Sequence, residues 1–324
     1  MTYDSHIGAL EIGIVASVFL FGITSTQTYL YYQLFPVDPK WTRWMVASVW
    51  FLELGHSITA IHALYVYTIH DFGEPKVETM QPPVSMAANF LISEIVFVCV
   101  QGYFILRITK ISRTWLFTTG CTLLLAARFV VFLFALVETQ LMEDLKQYEH
   151  DWNWALITML SIGSFVDLAI PCGLVYFLLI QRSAAYKTTV AIVDKLILWT
   201  IETGLATGVL AVLTLVLHLA LPGKFAWRAV YMCLPKMFSN ALLVNLNSRV
   251  KLRAMQENTE VVEMSGNEQN GNSVCFPHRL GARITVSTQR VRTIENGSKE
   301  IEVIAPSGEE LTSMRDRKDL AIFM

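Results

Sequence analysis

The chain has 324 residues, 53% hydrophobic and only 16% charged, with a mean hydropathy of +0.45 and a formal net charge of −2. Soluble domains carry about 25% charged residues, and the shortfall here is concentrated in long apolar runs, which excludes an ordinary soluble protein and indicates a polytopic membrane protein. With no basic excess overall, nothing points to nucleic acid as a partner.

Seven runs reach the length of about 20 apolar residues that spans a bilayer. They are Gly8–Phe35, Trp44–Ile69, Val84–Leu106, Trp115–Val137, Trp154–Ile180, Leu196–Leu221 and Phe225–Leu246. Lipid offers no partner to backbone groups outside helices and closed barrels, so runs of this length read as helices. The first lacks a basic leader and is too long for a signal peptide, so it is expected to be retained. Pro222, Gly223 and Lys224 form the tight turn between the last two.

Basic residues set the orientation. Lys40, Arg43, Arg107, Lys110, Arg113, Arg182, Lys187, Lys195, Arg249, Lys251 and Arg253 flank one side, eleven in all, against Lys76, Lys146, Lys224 and Arg228 on the other. That second side is acidic, with Asp71, Glu74, Glu78, Glu138, Glu143, Asp144, Glu149 and Asp151. The expected fold is therefore all-α: a bundle of seven transmembrane helices over residues 1–248 with the N-terminus outside, followed by a cytoplasmic, mostly disordered tail over 249–324. The membrane is expected to be the plasma membrane or an endomembrane. Cys99, Cys121, Cys172 and Cys233 fall within helices and Cys275 in the tail, without zinc-ligand spacing, and read as buried small hydrophobes.

The tail begins polar, ENTEVVEMSGNEQNGNS, which favours disorder. ARITVSTQRVRTIE and KEIEVIA alternate weakly around an Asn-Gly turn signal, but a lone hairpin is marginal. Asn296-Gly-Ser298 matches the N-glycosylation pattern on the side of the membrane where glycosylation does not occur.

Within the spans the informative stretch is FLELGHSITAIH, Phe51 to His62. An ionisable group at mid-membrane costs roughly 2.5–3.5 kcal/mol on insertion scales and needs a partner or a role. Glu53, His56, Glu94, Asp167 and Lys236 fall at one depth on four helices; Arg128 and His62 are expected nearer the outside and Glu202 nearer the cytoplasm. Glu53 and His56, three apart, share a helix face and read as one polar pair, whereas His62 lies about 13–14 Å further along the axis. Lys236 is expected to match Glu53, Glu94 or Asp167. Two readings of this layer stand side by side: an ion-pair network that holds the helices together, and a ligand-binding or proton-linked centre, with Arg128, Glu202 and Asn240 as secondary members. Four acids face two fixed cations, so either a carboxyl is protonated or a histidine is charged.

Glu-x-x-His ligates iron in four-helix bundles only when two such motifs and two further glutamates are present; one is present here, so neither metal nor other cofactor is expected. Gly204-x-x-x-Gly208 permits close helix approach, within the bundle rather than between copies. Trp41, Trp44, Trp115, Trp152 and Trp154 mark the headgroup level.

Several stretches carry a resemblance in the right order: GITSTQTYLYYQLFP, WFLELGH, QGYFILRI, SFVDLAIPCGLVYFL, DKLILWTIETGLATG and KMFSNALLVNLNSR. Together they resemble the fungal, mainly basidiomycete, integral membrane family known as domain of unknown function 6534. The resemblance implies a seven-helix fungal membrane protein and supplies no mechanism, because the family has no established activity. G-protein-coupled receptors fit less well: no acid precedes Arg107, and the seventh helix lacks Asn-Pro-x-x-Tyr. A retinal protein would use a lysine where Lys236 stands, but Met232 replaces the usual aspartate four residues earlier.

The leading functional expectation is a receptor-like or sensory protein, not an enzyme. Its partners would be the bilayer, a lipophilic small molecule at the midplane centre, and cytoplasmic proteins that meet its loops and tail. The alternative is a proton-linked small-molecule transporter that uses the intramembrane carboxylates and histidine. No internal repeat supports the latter.

Overall fold

A computed structural model describes residues 2–70, 82–112, 115–141, 145–184, 187–221, 226–252 and 254–255. These form seven long helices: α1 (Thr2–Leu34), α2 (Lys40–Tyr65, continued by a π-helical turn Val66–His70), α3 (Val84–Ser112), α4 (Trp115–Leu141), α5 (Leu145–Ala184), α6 (Lys187–Ala220) and α7 (Ala226–Asn247). Each contains a segment long and apolar enough to cross a membrane, and the chain is an integral membrane protein. All but α7 overrun their apolar runs by several residues at one end or both, because the headgroup region still admits helical backbone with polar side chains.

Each helix packs on the next, and α7 returns to α1, closing a ring. Further contacts of α3 with α5 and α7, and of α7 with α2, put α3 and α7 at the centre. The outer faces carry large apolar side chains such as Phe19, Phe51, Leu123 and Leu205, all exposed; on a soluble bundle these would form an aggregating surface, and here they face lipid. Hydroxyls inside the spans bond back to their own helix, as Thr24 does to the Leu20 carbonyl (3.1 Å) and Thr200 to that of Leu196 (2.7 Å), which satisfies them where water is absent.

Small residues set the closest helix approaches. A Cβ on Gly13 of α1 would stand 2.5 Å from the Ala229 carbonyl oxygen of α7. Gly204 receives the ring of Pro171, and a Cβ on Gly208 would meet Leu168 Cδ2 at 2.6 Å. The Gly204-x-x-x-Gly208 stripe thus seats α5 against α6, within one chain.

Lys40, Arg43, Arg107, Lys110, Arg182, Arg249 and Lys251 gather at the end of the bundle where α1 gives way to α2, here called the basic end. At that end Asp38 accepts hydrogen bonds from Tyr31 (3.0 Å) and Arg249, and the Arg249 guanidinium lies 4.3 Å from the Phe35 ring centroid. Arg249 and fully buried Leu252 therefore belong to the bundle, although the polar turn in composition places them in the tail. Cys172 is exposed on the lipid face rather than buried. The Pro222–Lys224 turn, Asp71, Glu74, Glu78, Arg113, Glu143, Asp144, Cys275, the hairpin and disorder expectations for the tail, and Asn296 lie outside the described residues.

Candidate functional site

The polar residues of the spans separate into two clusters. Tyr231 and Lys236, five residues apart on α7, point about 140° apart around the helix, and each serves one cluster.

The first joins α2 to α7. Lys236, fully buried, forms an ion pair with Glu53 and donates to the Glu53 backbone carbonyl (2.7 Å) and to Ser57 Oγ (3.0 Å). Its ammonium also lies 5.0 Å from the Phe21 ring centroid. Ser239 Oγ donates to Glu53 Oε1 at 2.5 Å. Asn240, one residue on, turns to α1 instead, accepting from Thr24 (3.3 Å) and donating to the Leu20 carbonyl (3.3 Å).

His56 is fully buried beside this cluster, yet neither ring nitrogen has a hydrogen-bond partner among the described residues. The expected Glu53–His56 pair is not formed. The reason lies in Lys236, whose charge takes the carboxylate and leaves the imidazole aside. The backbone carbonyl of His56 accepts from Asn89 Nδ2 at 2.7 Å and from Thr59 Oγ1 at 3.0 Å.

The second cluster joins α3, α4 and α5. Arg128 Nη2 donates to Glu94 Oε2 at 3.0 Å, both side chains being buried. The guanidinium stacks 4.7 Å from the Phe97 ring centroid and lies against Gly163, where a Cβ would come within 3.2 Å of its carbon. Arg128 therefore belongs to the midplane layer and not nearer one surface; a long side chain carries its head to a level its backbone does not occupy. Asp167, one turn from Gly163, is in electrostatic reach of Arg128 and accepts a hydrogen bond from Gln101. Tyr231 of α7 lies near the Glu94–Arg128 pair, its hydroxyl without a hydrogen-bond partner among the described residues. An aromatic wall of Phe97, Tyr231 and Phe238, in edge-to-face contact at 5.2–5.9 Å, stands beside this cluster.

Glu202 is exposed on the outer face of α6 and joins neither cluster, and His62 is exposed on α2. Gln101, Ser57 and Ser239 carry much of the hydrogen bonding, and Tyr231 borders the second cluster, yet none is singled out from the sequence. They are neutral, and an inventory of ionisable residues passes over them.

Two clefts flank the second cluster. One, a narrow cleft, opens toward the end opposite the basic end, among α3, α4, α5 and α7. Its walls include Met86, Phe90, Phe132, Ala135, Met159 and Trp227; Arg228, Gln140 and Thr139 lend polarity, and Tyr231 forms its floor. The other, narrower still, lies toward the basic end among α3, α5, α6 and α7 and reaches Gln101 and Asp167. On the wall of the second cleft, Asn245 accepts from buried Arg107 at 2.5 Å. Lys236 lines neither cleft, its ammonium being held by two hydrogen bonds and the Glu53 ion pair.

Residues 163–251 match the family described as Family of unknown function (DUF6534). That segment carries the second half of α5 together with α6 and α7, and so includes Gly163, Asp167, Tyr231 and Lys236. No curated protein and no solved structure matches the chain.

Proposed function

We propose that this protein is a receptor-like or sensory membrane protein, without catalytic activity, whose ligand is a small lipophilic molecule held in the cleft opposite the basic end. The observation that carries this reading is the floor of that cleft. Tyr231 borders the apolar space on one side and faces the buried Glu94–Arg128 pair on the other. A ligand pressing on Tyr231 would therefore act on groups that tie α3 to α4 and, through Asp167 and Gln101, α5 to α3. Discrete repacking of such a network is how a local contact becomes a rearrangement of helices.

The site differs from the one expected from the sequence: the ligand stands above the polar layer, and the midplane residues respond to it. The orientation we propose, N-terminus outside and tail cytoplasmic, rests on the basic end and puts the ligand cleft on the outer side. Membership of the DUF6534 family over the whole bundle, and fungal origin, are proposed from the ordered stretches outside residues 163–251.

A proton-linked transporter is the second reading, favoured by one observation: clefts approach the charged layer from both sides. Reconstitution into sealed vesicles separates the two. A receptor binds its ligand saturably and passes neither ligand nor protons; downhill flux that depends on pH and is lost in Glu53→Gln would replace this proposal with the transporter.

A further inference from the structure

We infer that the cleft toward the basic end is a separate binding site for an organic ammonium ion, whose N–H groups bond Asp167 and Gln101 Oε1. The argument begins with charge. Among the described buried residues of the layer, three acids, Glu53, Glu94 and Asp167, face two cations, Lys236 and Arg128. Glu53 and Lys236 match one for one. Glu94 and Asp167 share Arg128, which bonds Glu94 directly and reaches Asp167 only through space. Within that layer the surplus negative charge belongs to the cluster that the cleft touches, with Asp167 on its wall; the cation Arg107 adjoins the cleft at its other end, bonded to Asn245.

Geometry supplies the second observation. Gln101 is 1% exposed, lines the same cleft and turns its amide nitrogen to Asp167, since a carboxylate accepts only from that end. This orientation leaves Gln101 Oε1 buried without a hydrogen-bond donor among the described residues. A carboxylate and a bare amide oxygen on one wall both call for donors with positive charge, and burying them without such a donor is unfavourable.

The rest of the cleft decides what kind of cation. Phe104, Ile170, Leu174 and Phe238 give it a largely apolar wall. A hard metal ion takes about six to eight oxygens. A protonated amine needs two or three acceptors, and its alkyl body suits apolar and aromatic surface. The site does not depend on the cleft opposite the basic end being a ligand site, and the two can fail separately.

The test uses the full chain in detergent, with n-hexylamine as probe and n-hexanol as its neutral counterpart. Binding is read by titration calorimetry and by melting temperature. Hexylamine is expected to bind saturably and at least about tenfold more tightly than hexanol, the scale of a charge-assisted hydrogen bond. Asp167→Asn should abolish that preference, Gln101→Leu should reduce it severalfold, and Glu202→Gln, on the lipid face, should leave it intact. Equal binding of amine and alcohol by the wild-type chain would overturn the inference, and would mean that a proton on Asp167 already answers the charge. Survival of the preference in both Asp167→Asn and Gln101→Leu would overturn it as well.

Discussion

Lys236 on α7 commits its whole ammonium group to one turn of α2, pairing with the Glu53 carboxylate while donating to the Glu53 carbonyl and to Ser57. A lysine so held is a helix clamp, which argues against its forming a Schiff base. Breaking a buried pair costs more than never having built it, because the survivor is left charged and unpaired. Lys236→Met alone should therefore lower unfolding stability by about 3–5 kcal/mol. The double variant Glu53→Leu/Lys236→Met should recover most of the loss. Equilibrium unfolding in mixed micelles measures both; a double variant as unstable as the single would show that the pair is not the source.

His56 gives the opposite expectation. Its imidazole is buried with both nitrogens unbonded among the described residues, and a buried polar group without a partner costs about 1–3 kcal/mol. His56→Phe keeps the ring and removes the unbonded nitrogens, so stability should hold or rise. A clear drop in the unfolding midpoint would mean that the imidazole carries an interaction of its own.

Helix seating predicts a contrast between two glycines of α1. Gly13 lies against the backbone of Ala229, while a Cβ on Gly22 would meet nothing within 4 Å. Gly13→Ala should push α1 off α7 and cost about 1–3 kcal/mol. Gly22→Ala should be neutral or gain up to about 1 kcal/mol of helix propensity. Similar losses at both positions would contradict the α1–α7 contact.

The C-terminal end of the bundle predicts a third contrast. Arg249 is tied to Asp38 and Leu252 is fully buried. A chain ending after Ser248 should melt at a clearly lower temperature than one ending after Met255, the difference arising from these two contacts. Equal melting temperatures would return residues 249–252 to the tail.

The spans were readable because a bilayer imposes a single length on apolar runs, and all seven runs lie on the seven helices. Counting from helix ends puts Glu53 level with Lys236 and Glu94 level with Asp167, and the structure brings Glu53 to Lys236, and Glu94 and Asp167 to the reach of one Arg128. What counting could not supply was rotation. Three residues of spacing place Glu53 and His56 on one face, but only tertiary structure puts Lys236 opposite Glu53 and separates the imidazole from the carboxylate. Glu202 shows the same gap, since periodicity within a uniformly apolar helix does not tell the lipid face from the core. Arg128 was misplaced in depth because its head reaches beyond its own turn. The clefts were invisible in the sequence, being formed by the poor fit of four helices whose partners no local pattern names.

The central claim is that the cleft above Tyr231 holds a lipophilic ligand. The most direct measurement is the melting temperature of the purified chain across a panel of sterols, fatty acids, fatty alcohols and retinal, with Ala135→Trp in parallel. Ala135 lines that cleft, and the larger side chain fills it without touching either ion pair. The account predicts saturable stabilisation of the wild-type chain by one compound class, lost in Ala135→Trp and retained in Glu202→Gln. Stabilisation identical in the wild type and Ala135→Trp, or none from any member of the panel, would contradict it.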